Sequence, residues 1–599
     1  MSHASNYRRR LVIALLLLHS TTTTHAHPPD VPECSLWIAP STIPGAGLGL
    51  FAGKSYALHE IITPGDLTVP LLDMHWHNDV DSFDHDHLFV WDEYTWADHS
   101  FLRMQEEGHE VFGASFGIGA LPNCLFSSIQ VDESLNRFDT AGLSRRHDPG
   151  VGAFTPYYDR YGYAINDVQA GQELFVDYGR DYFLQDTRIA SIGMVPFPES
   201  FELADELLED LVDEFLPDSR SFIPSAVLSD LYHFIRTNVS NTWPSRTLRA
   251  LPDLSDSTDF IETVRNLAAN GTVTVDQARS IRSLSWLREQ GTCVGNLHIR
   301  PSTVKQAGRG AFATQTIPEG HVVAAVPLLH IPDRSIMKMH DIRSVGGGPI
   351  VHQQLLLNYC FGHPDSTLLL CPYGVATSAI NHAAKPNVRI AWSHKLTLRP
   401  EWLEQPIGEW AYQYTAGLTW EYIAMRDIAE GEEIFLDYGP AWVAAWKQHV
   451  TQWKPHDDPG VTEVDLNANF DSILPTIAEE FSSRTTKHPL SVELMCREEY
   501  RLMRGLRPSE KEHHRCRIRL RTNDLRYVAE IVTWIDKKST EMCFLRVKEV
   551  LWDLPRDAFV FRDVPYTRDH AQYWSFRHEV SIPDELFPAV WRNRLRKSR

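Results

Sequence analysis

The chain has 599 residues, 43% of them apolar and 11% aromatic, with a formal net charge of −21. That length exceeds a single core and predicts about three to five domains, and the composition excludes an intrinsically disordered protein. The acidity excludes a general nucleic-acid binder, because neutralising phosphates needs clustered cations. The charge is also uneven. Residues 484–599 hold 25 Lys+Arg against 17 Asp+Glu, leaving 32 against 61 elsewhere. An acidic body therefore carries a mildly basic C-terminal region. Such a body is soluble and steers cationic partners toward itself.

In chain order, the first element is Arg8-Arg9-Arg10, an apolar run from Leu11 to Leu18, and small residues ending at Ala26. This reads as a signal peptide over residues 1–26. Eight apolar residues are too few for a bilayer span, which needs about 20. No later stretch is longer and as apolar, so the mature chain is expected to have no membrane span. The expected location is the secretory pathway or outside the cell, with a plastid reached through a bipartite signal as the alternative. The cysteines, at 34, 124, 293, 360, 371, 496, 516 and 543, contain no C-x-x-C pair, so no metal site is expected. An oxidising compartment permits disulfides, whose connectivity stays open. Asn238-Val-Ser and Asn270-Gly-Thr are glycosylation sequons.

Next comes a segment that recurs. Ile43-Pro-Gly-Ala-Gly-Leu-Gly-Leu-Phe-Ala52 matches Val304-Lys-Gln-Ala-Gly-Arg-Gly-Ala-Phe-Ala313. Val168-Gln-Ala-Gly-Gln-Glu-Leu-Phe-Val-Asp-Tyr-Gly179 matches Ile428-Ala-Glu-Gly-Glu-Glu-Ile-Phe-Leu-Asp-Tyr-Gly439. Gly47 to Tyr178 spans 131 residues and Gly308 to Tyr438 spans 130, so the pattern predicts a duplicated domain. Within the first copy, His75, His77, His85, His87 and His99 lie among Asp81, Asp84 and Asp86, which reads as a solvated acidic loop, with metal binding through the H-x-H spacing on a strand as the alternative. Between the copies, Leu203, Leu207, Leu211 and Phe215, with Leu208 and Val212 beside them, predict one apolar helix face. Asp256-Ser-Thr-Asp offers a helix N-cap. Beyond the second copy, Arg515–Arg521, Tyr527–Trp534 and Phe544–Val547 read as strands of a β-rich accessory domain.

The second copy combines Ala-Gly-Arg-Gly-Ala-Phe-Ala with Ile380-Asn381-His382, Pro386-Asn387 and Gly431-Glu-Glu-Ile-Phe-Leu-Asp-Tyr-Gly439. In order and spacing these motifs resemble the SET family of protein-lysine methyltransferases over about residues 293–445. The resemblance implies an α+β protein with two β-rich pseudoknotted SET-like domains, at 32–190 and 293–450. A helical acidic linker (191–290) joins them, and a β-rich C-terminal domain (484–599) follows. It implies S-adenosyl-L-methionine as cofactor, held by Gly308, Gly310, Asn381 and His382, and a protein lysine as substrate. Tyr438 matches the family's active-site tyrosine. Tyr422 and Trp442 are the expected substrate-channel residues, with Tyr359 and Tyr373 as further candidates. The reaction needs a neutral amine, although free lysine has a pKa of about 10.4. An apolar channel lowers that value, and alignment then matters more than a strong base.

The first copy departs from this pattern. Asn123-Cys124 stands 55 residues before Tyr178, where Asn381-His382 stands 57 before Tyr438, and Asn136 is a rival alignment. No Asn-His pair occurs in it, so the first copy is read as degenerate. The expected function is lysine methylation by the second copy. The alternative is a non-catalytic SET-like protein that binds a peptide or partner.

Overall fold

The computed structural model describes residues 34–72, 94–97, 111–117, 119–133, 143, 147–153, 159–185, 195–216, 224–238, 244–255, 259–340, 350–411, 413, 415–454, 463–468, 473–479, 492–497, 513–534, 546–563 and 575–592. The signal segment, the histidine-rich cluster around His75–His99, and Asn136 lie outside the described residues.

Each recurring segment builds the same hairpin. Leu36–Pro40 pairs antiparallel with Leu48–Ala52, and Leu297–Pro301 with Arg309–Ala313. The two turns close alike: Ser41 N donates to Gly47 O and Ser302 N to Gly308 O, both at 2.9 Å. A long strand follows in each half. Ile61–Leu72 pairs with Val111–Ser115 and Asp159–Ala164. Val322–Ile331 pairs with Leu369–Pro372 and Leu418–Ala424. Val322–Ile331 is apolar and buried along almost its whole length, as a central strand covered on both faces must be.

The halves share one hydrophobic core. It runs from Leu36, Leu50 and Val69 in the first half to Val326, Leu370 and Trp420 in the second, and on to Val580 and Trp591. Polar contacts reinforce the union. Gln354 Nε2 donates to Leu72 O (2.6 Å), while Leu72 N donates to Gln354 Oε1 (3.1 Å). Cys34 and Cys293 form a disulfide between the starts of the two halves.

Helices follow at Pro198–Phe215, Ser225–Asn238, Ser245–Ala250, Phe260–Asn270, Val273–Arg279 and Leu284–Gln290. The longest, Pro198–Phe215, buries Phe201, Ala204, Leu207, Leu208 and Leu211 against the helices that follow. Leu207 and Leu211 lie on the predicted face, but Leu203 is half-buried and Phe215 is 38% exposed. The reason is geometric: a strict i, i+4 line drifts about 40° per step around a helix of 3.6 residues per turn. Asp259 caps the Phe260–Asn270 helix by accepting from Glu262 N at 3.1 Å. The helical segment docks on the first half, where Glu173 N donates to Ser280 O and Arg282 N to Gly171 O.

A five-stranded antiparallel sheet, in the order 546–554, 527–534, 513–521, 492–497, 559–563, has its own core. The last described stretch does not join that sheet. Val580–Ser581 instead becomes an edge strand of the second half's six-stranded sheet, parallel to Phe361–Gly362.

Candidate active site

The closing segment of the second half runs back beneath its hairpin. Asn381–His382 pairs parallel with Phe435–Leu436. Asn387, fully buried, locks the crossing: its Nδ2 donates to Glu433 O (2.8 Å), and its Oδ1 accepts from Phe435 N (2.7 Å). This exchange satisfies the Glu433 carbonyl and the Phe435 amide where the two segments cross.

Glu433, 4% exposed, is the hub beneath the glycine turn. Ser302 Oγ donates to its Oε1 (2.6 Å), Thr303 N to its Oε2 (2.7 Å), and Thr303 Oγ1 to the same oxygen. Asn381 Nδ2 donates to Arg309 O (2.7 Å) and lies 3.2 Å from Glu433 Oε1. Gly310 lies directly over this carboxylate, and a Cβ there would come within 2.1 Å of Oε1. A side chain at Gly310 is therefore barred by Glu433, and the Asn381 amide is engaged in the same brace.

The first half repeats the brace atom by atom. Ser41 Oγ and Thr42 N donate to Glu173 at 2.7 and 2.6 Å. Asn123 Nδ2 donates to Leu48 O (3.0 Å) and lies 3.2 Å from Glu173 Oε1. A Cβ at Gly49 would likewise come within 2.1 Å of Glu173. Asn123 thus stands where Asn381 stands. Burial raises the Glu173 carboxyl pKa against these hydrogen bonds. Neither hub is marked as a site residue by its own type, although Pro40-Ser41-Thr42 and Pro301-Ser302-Thr303 recur with them and carry the signal.

His382 makes the difference between the halves. Tyr438 N donates to its Nδ1 (3.1 Å), which fixes the neutral tautomer with hydrogen on Nε2. Burial lowers the His382 pKa, and the Asp437 carboxylate opposes that shift. In the first half the free, buried Cys124 faces the Tyr178 amide instead, its thiol pushed up to about 12 by burial. Its sulfur takes the acceptor role toward the backbone, but it supplies no second ring nitrogen.

A cavity of about 200 Å³ opens beside His382. The glycine turn contributes Lys305, Gln306 and Arg309, while Asn381, His382 and Tyr438 form the floor. Trp442 and Trp446, from the helix Pro440–Gln452, form one wall together with Phe576 from the distant C-terminal stretch. Trp442 meets Tyr438 edge-on at 4.9 Å and lies 5.3 Å from the His382 ring. Gly308, with φ 72°, shapes the turn but is not among the cavity's lining residues. Tyr359 lines the cavity, whereas Tyr373 does not. Tyr422 is 2% exposed in its strand and does not line the cavity.

The Tyr438 hydroxyl donates to Ile380 O, and burial raises its pKa well above the ordinary phenol value. It remains a neutral phenol, able to orient a ligand but not to act as a base near pH 7. The cavity pairs aromatic faces with two cationic side chains, Lys305 and Arg309. That lining suits a ligand with a flat ring and a carboxylate.

A model of the SET domain family matches residues 308–439, so the second half carries a SET domain. No curated protein sequence matches the chain. Among solved structures, one similar chain is a Plasmodium falciparum protein described as a histone methyltransferase. It is 17% identical, with a TM-score of 0.16, and the match covers 25% of this chain and 96% of that one. Another is in the Chaetomium thermophilum polycomb repressive complex 2, at 18% identity and a TM-score of 0.17. That match covers 28% of this chain and only 18% of the other.

Proposed function

We propose that the second half transfers methyl groups from S-adenosylmethionine to lysine side chains of proteins. The observation that carries this reading is the convergence of the glycine turn, Asn381-His382 and Tyr438 on one cavity whose lining suits such a cofactor. When bound, the cofactor supplies an electrophilic sulfonium methyl. Lys305 and Arg309 are placed to hold its carboxylate, and Trp442, Trp446 and Phe576 offer faces for its ring. His382, neutral and held by the Tyr438 amide, keeps its Nε2 hydrogen for donation. Tyr438 orients the incoming amine through its hydroxyl, with the buried Tyr422 behind it. Burial among these rings disfavours an ammonium and so favours the neutral, nucleophilic amine. The acidic remainder of the chain draws lysine-rich substrates toward the site.

The tandem arrangement is part of the same proposal. It is supported by the repeated brace at Glu173 and Glu433 and by the two matching hairpins. A secretory location is supported by three disulfides among the described residues: Cys34–Cys293, Cys360–Cys371 and Cys496–Cys516.

A second reading, a SET-like protein that binds partners without catalysis, is favoured by one observation. The first half keeps the whole brace with Cys124 in place of histidine, so the scaffold does not require activity. Calorimetry of S-adenosylmethionine with the wild type, His382→Ala and Tyr438→Phe separates the readings. Methylation requires wild-type binding that weakens in His382→Ala, with Tyr438→Phe still binding but transferring far less methyl to lysine peptides. Absence of wild-type binding at about millimolar cofactor sinks the enzyme reading.

A further inference from the structure

We infer that residues 575–592 form a strap that positions Tyr438 and completes the ligand cavity of the second half, with Phe576 as a binding residue and Arg577 and Ser581 as positioning residues. The inference rests on the cavity being the ligand site proposed above, but the strap's mechanical role stands on geometry alone.

The strap bridges two structures with its two edges. Val580 N and Ile582 N donate to Cys360 O and Gly362 O, on the rim of the six-stranded sheet. Alternate amides of an extended strand point to opposite sides. Ser581 N therefore faces the other way and donates to Tyr438 O at 3.0 Å. The backbone of the active-site tyrosine is thus tied to the sheet through a strand that lies more than 140 residues downstream.

Gly439 records the closeness of this approach: a Cβ there would lie 2.6 Å from Ser581 Cβ. Its counterpart Gly179 has the same left-handed φ, 81° against 87°, yet among the described residues nothing lies within 4 Å of its would-be Cβ. The closing Asp-Tyr-Gly is shared by both halves, but among the described residues a strap lies against the second alone.

Side chains lock the strap upstream of Ser581. Asn358 Nδ2 donates to Phe576 O (2.9 Å) and its Oδ1 accepts from His578 N (2.9 Å), as a neighbouring strand would. Arg577 is half-buried, and the desolvation of its guanidinium lowers its pKa to about 9. It donates to Gly152 O of the first half (2.6 Å) and to Gln353 O (3.0 Å). This places the Phe576 ring edge-on to Trp442 (5.6 Å) and Trp446 (5.1 Å), on the cavity wall. Downstream, Trp591 is fully buried and donates to Trp402 O (3.0 Å), anchoring the far end.

The test uses the full chain in three forms: wild type, Phe576→Ala and Arg577→Ala. Amide hydrogen exchange is read over residues 438–452, with the separate sheet at 513–534 as internal reference. Binding of S-adenosylhomocysteine is measured alongside. The strap predicts faster exchange at 438–452 in both variants, an unchanged reference sheet, and affinity reduced about tenfold or more in Phe576→Ala. Exchange at 438–452 that matches wild type in both variants overturns the inference. If the wild type binds no S-adenosylhomocysteine, the methyltransferase reading fails, and the exchange comparison still decides whether the strap positions Tyr438.

Discussion

Glu433 and Glu173 make a matched pair of experiments within one molecule. Replacing either by Gln puts an amide hydrogen against donors that now point at a carboxylate. Leaving buried donors without acceptors costs about 1–3 kcal/mol. We expect Glu173→Gln and Glu433→Gln to lower the melting temperature comparably, but only Glu433→Gln to weaken cofactor binding, because only its brace lies beneath the cavity. Equal losses of cofactor affinity in calorimetry would place the ligand elsewhere. His382 adds a pH dependence of definite sign. Its folded pKa lies below the ordinary value of about 6.5, so the neutral ring is the favoured folded form. The stability it contributes is complete above the unfolded pKa and is lost as pH falls through the folded one. Protonation also removes the Nδ1 acceptor used by Tyr438 N. Cofactor affinity, titrated from pH 8 downward, should therefore hold through neutral pH and fall only once the pH drops past the ordinary histidine value. An affinity that rises on acidification contradicts this role for His382.

At the scale of elements, the legible features were those written locally. The two glycine turns, the closing Asp-Tyr-Gly segments and the strands at 513–521 and 527–534 each carry their pattern within about ten residues. The apolar helix face was legible only in part, because a line of leucines four apart does not stay on one side over eighteen residues. The strap was not legible at all. Phe576 and Ser581 gain their roles from contacts made across more than 130 residues, and no local pattern marks them. Glu433 was hidden differently, since its residue type suggests a surface and only the recurring Pro-Ser-Thr points to a buried partner. The strap's anchor is open to a direct test. Trp591 is 0% exposed and packs edge-on against Trp392 (5.8 Å) and at a tilt against Trp410 (5.3 Å). Trp591→Ala should cost about 3–5 kcal/mol, because a large ring leaves a cavity that rigid neighbours cannot fill. Calorimetric melting would show it as a lower transition for the halves, with the 513–534 sheet unaffected.

For the whole molecule, the question is whether the second half can act alone. A family match confined to residues 308–439 suggests an autonomous module, but the packing argues otherwise. One core takes side chains from both halves, so cutting between them opens that core on both sides. Leu67 and Ala153 of the first half line the cavity itself. The Gln354 amide would lose both of its bonds to Leu72, and the Cys34–Cys293 disulfide would be gone. Losing such a disulfide costs about 2–5 kcal/mol by itself, a large share of a typical folding free energy of about 5–15 kcal/mol. Residues 293–454 expressed alone should therefore show no cooperative thermal transition and should aggregate. Full-length protein carrying only Cys34→Ser should still fold, with a lower melting temperature and its cavity intact. A soluble isolated second half that melts cooperatively and binds cofactor as tightly as the full chain would make the first half dispensable. In the packing seen here, the first half instead supplies the second with part of its core, part of its cavity wall and the Gly152 carbonyl that seats the strap.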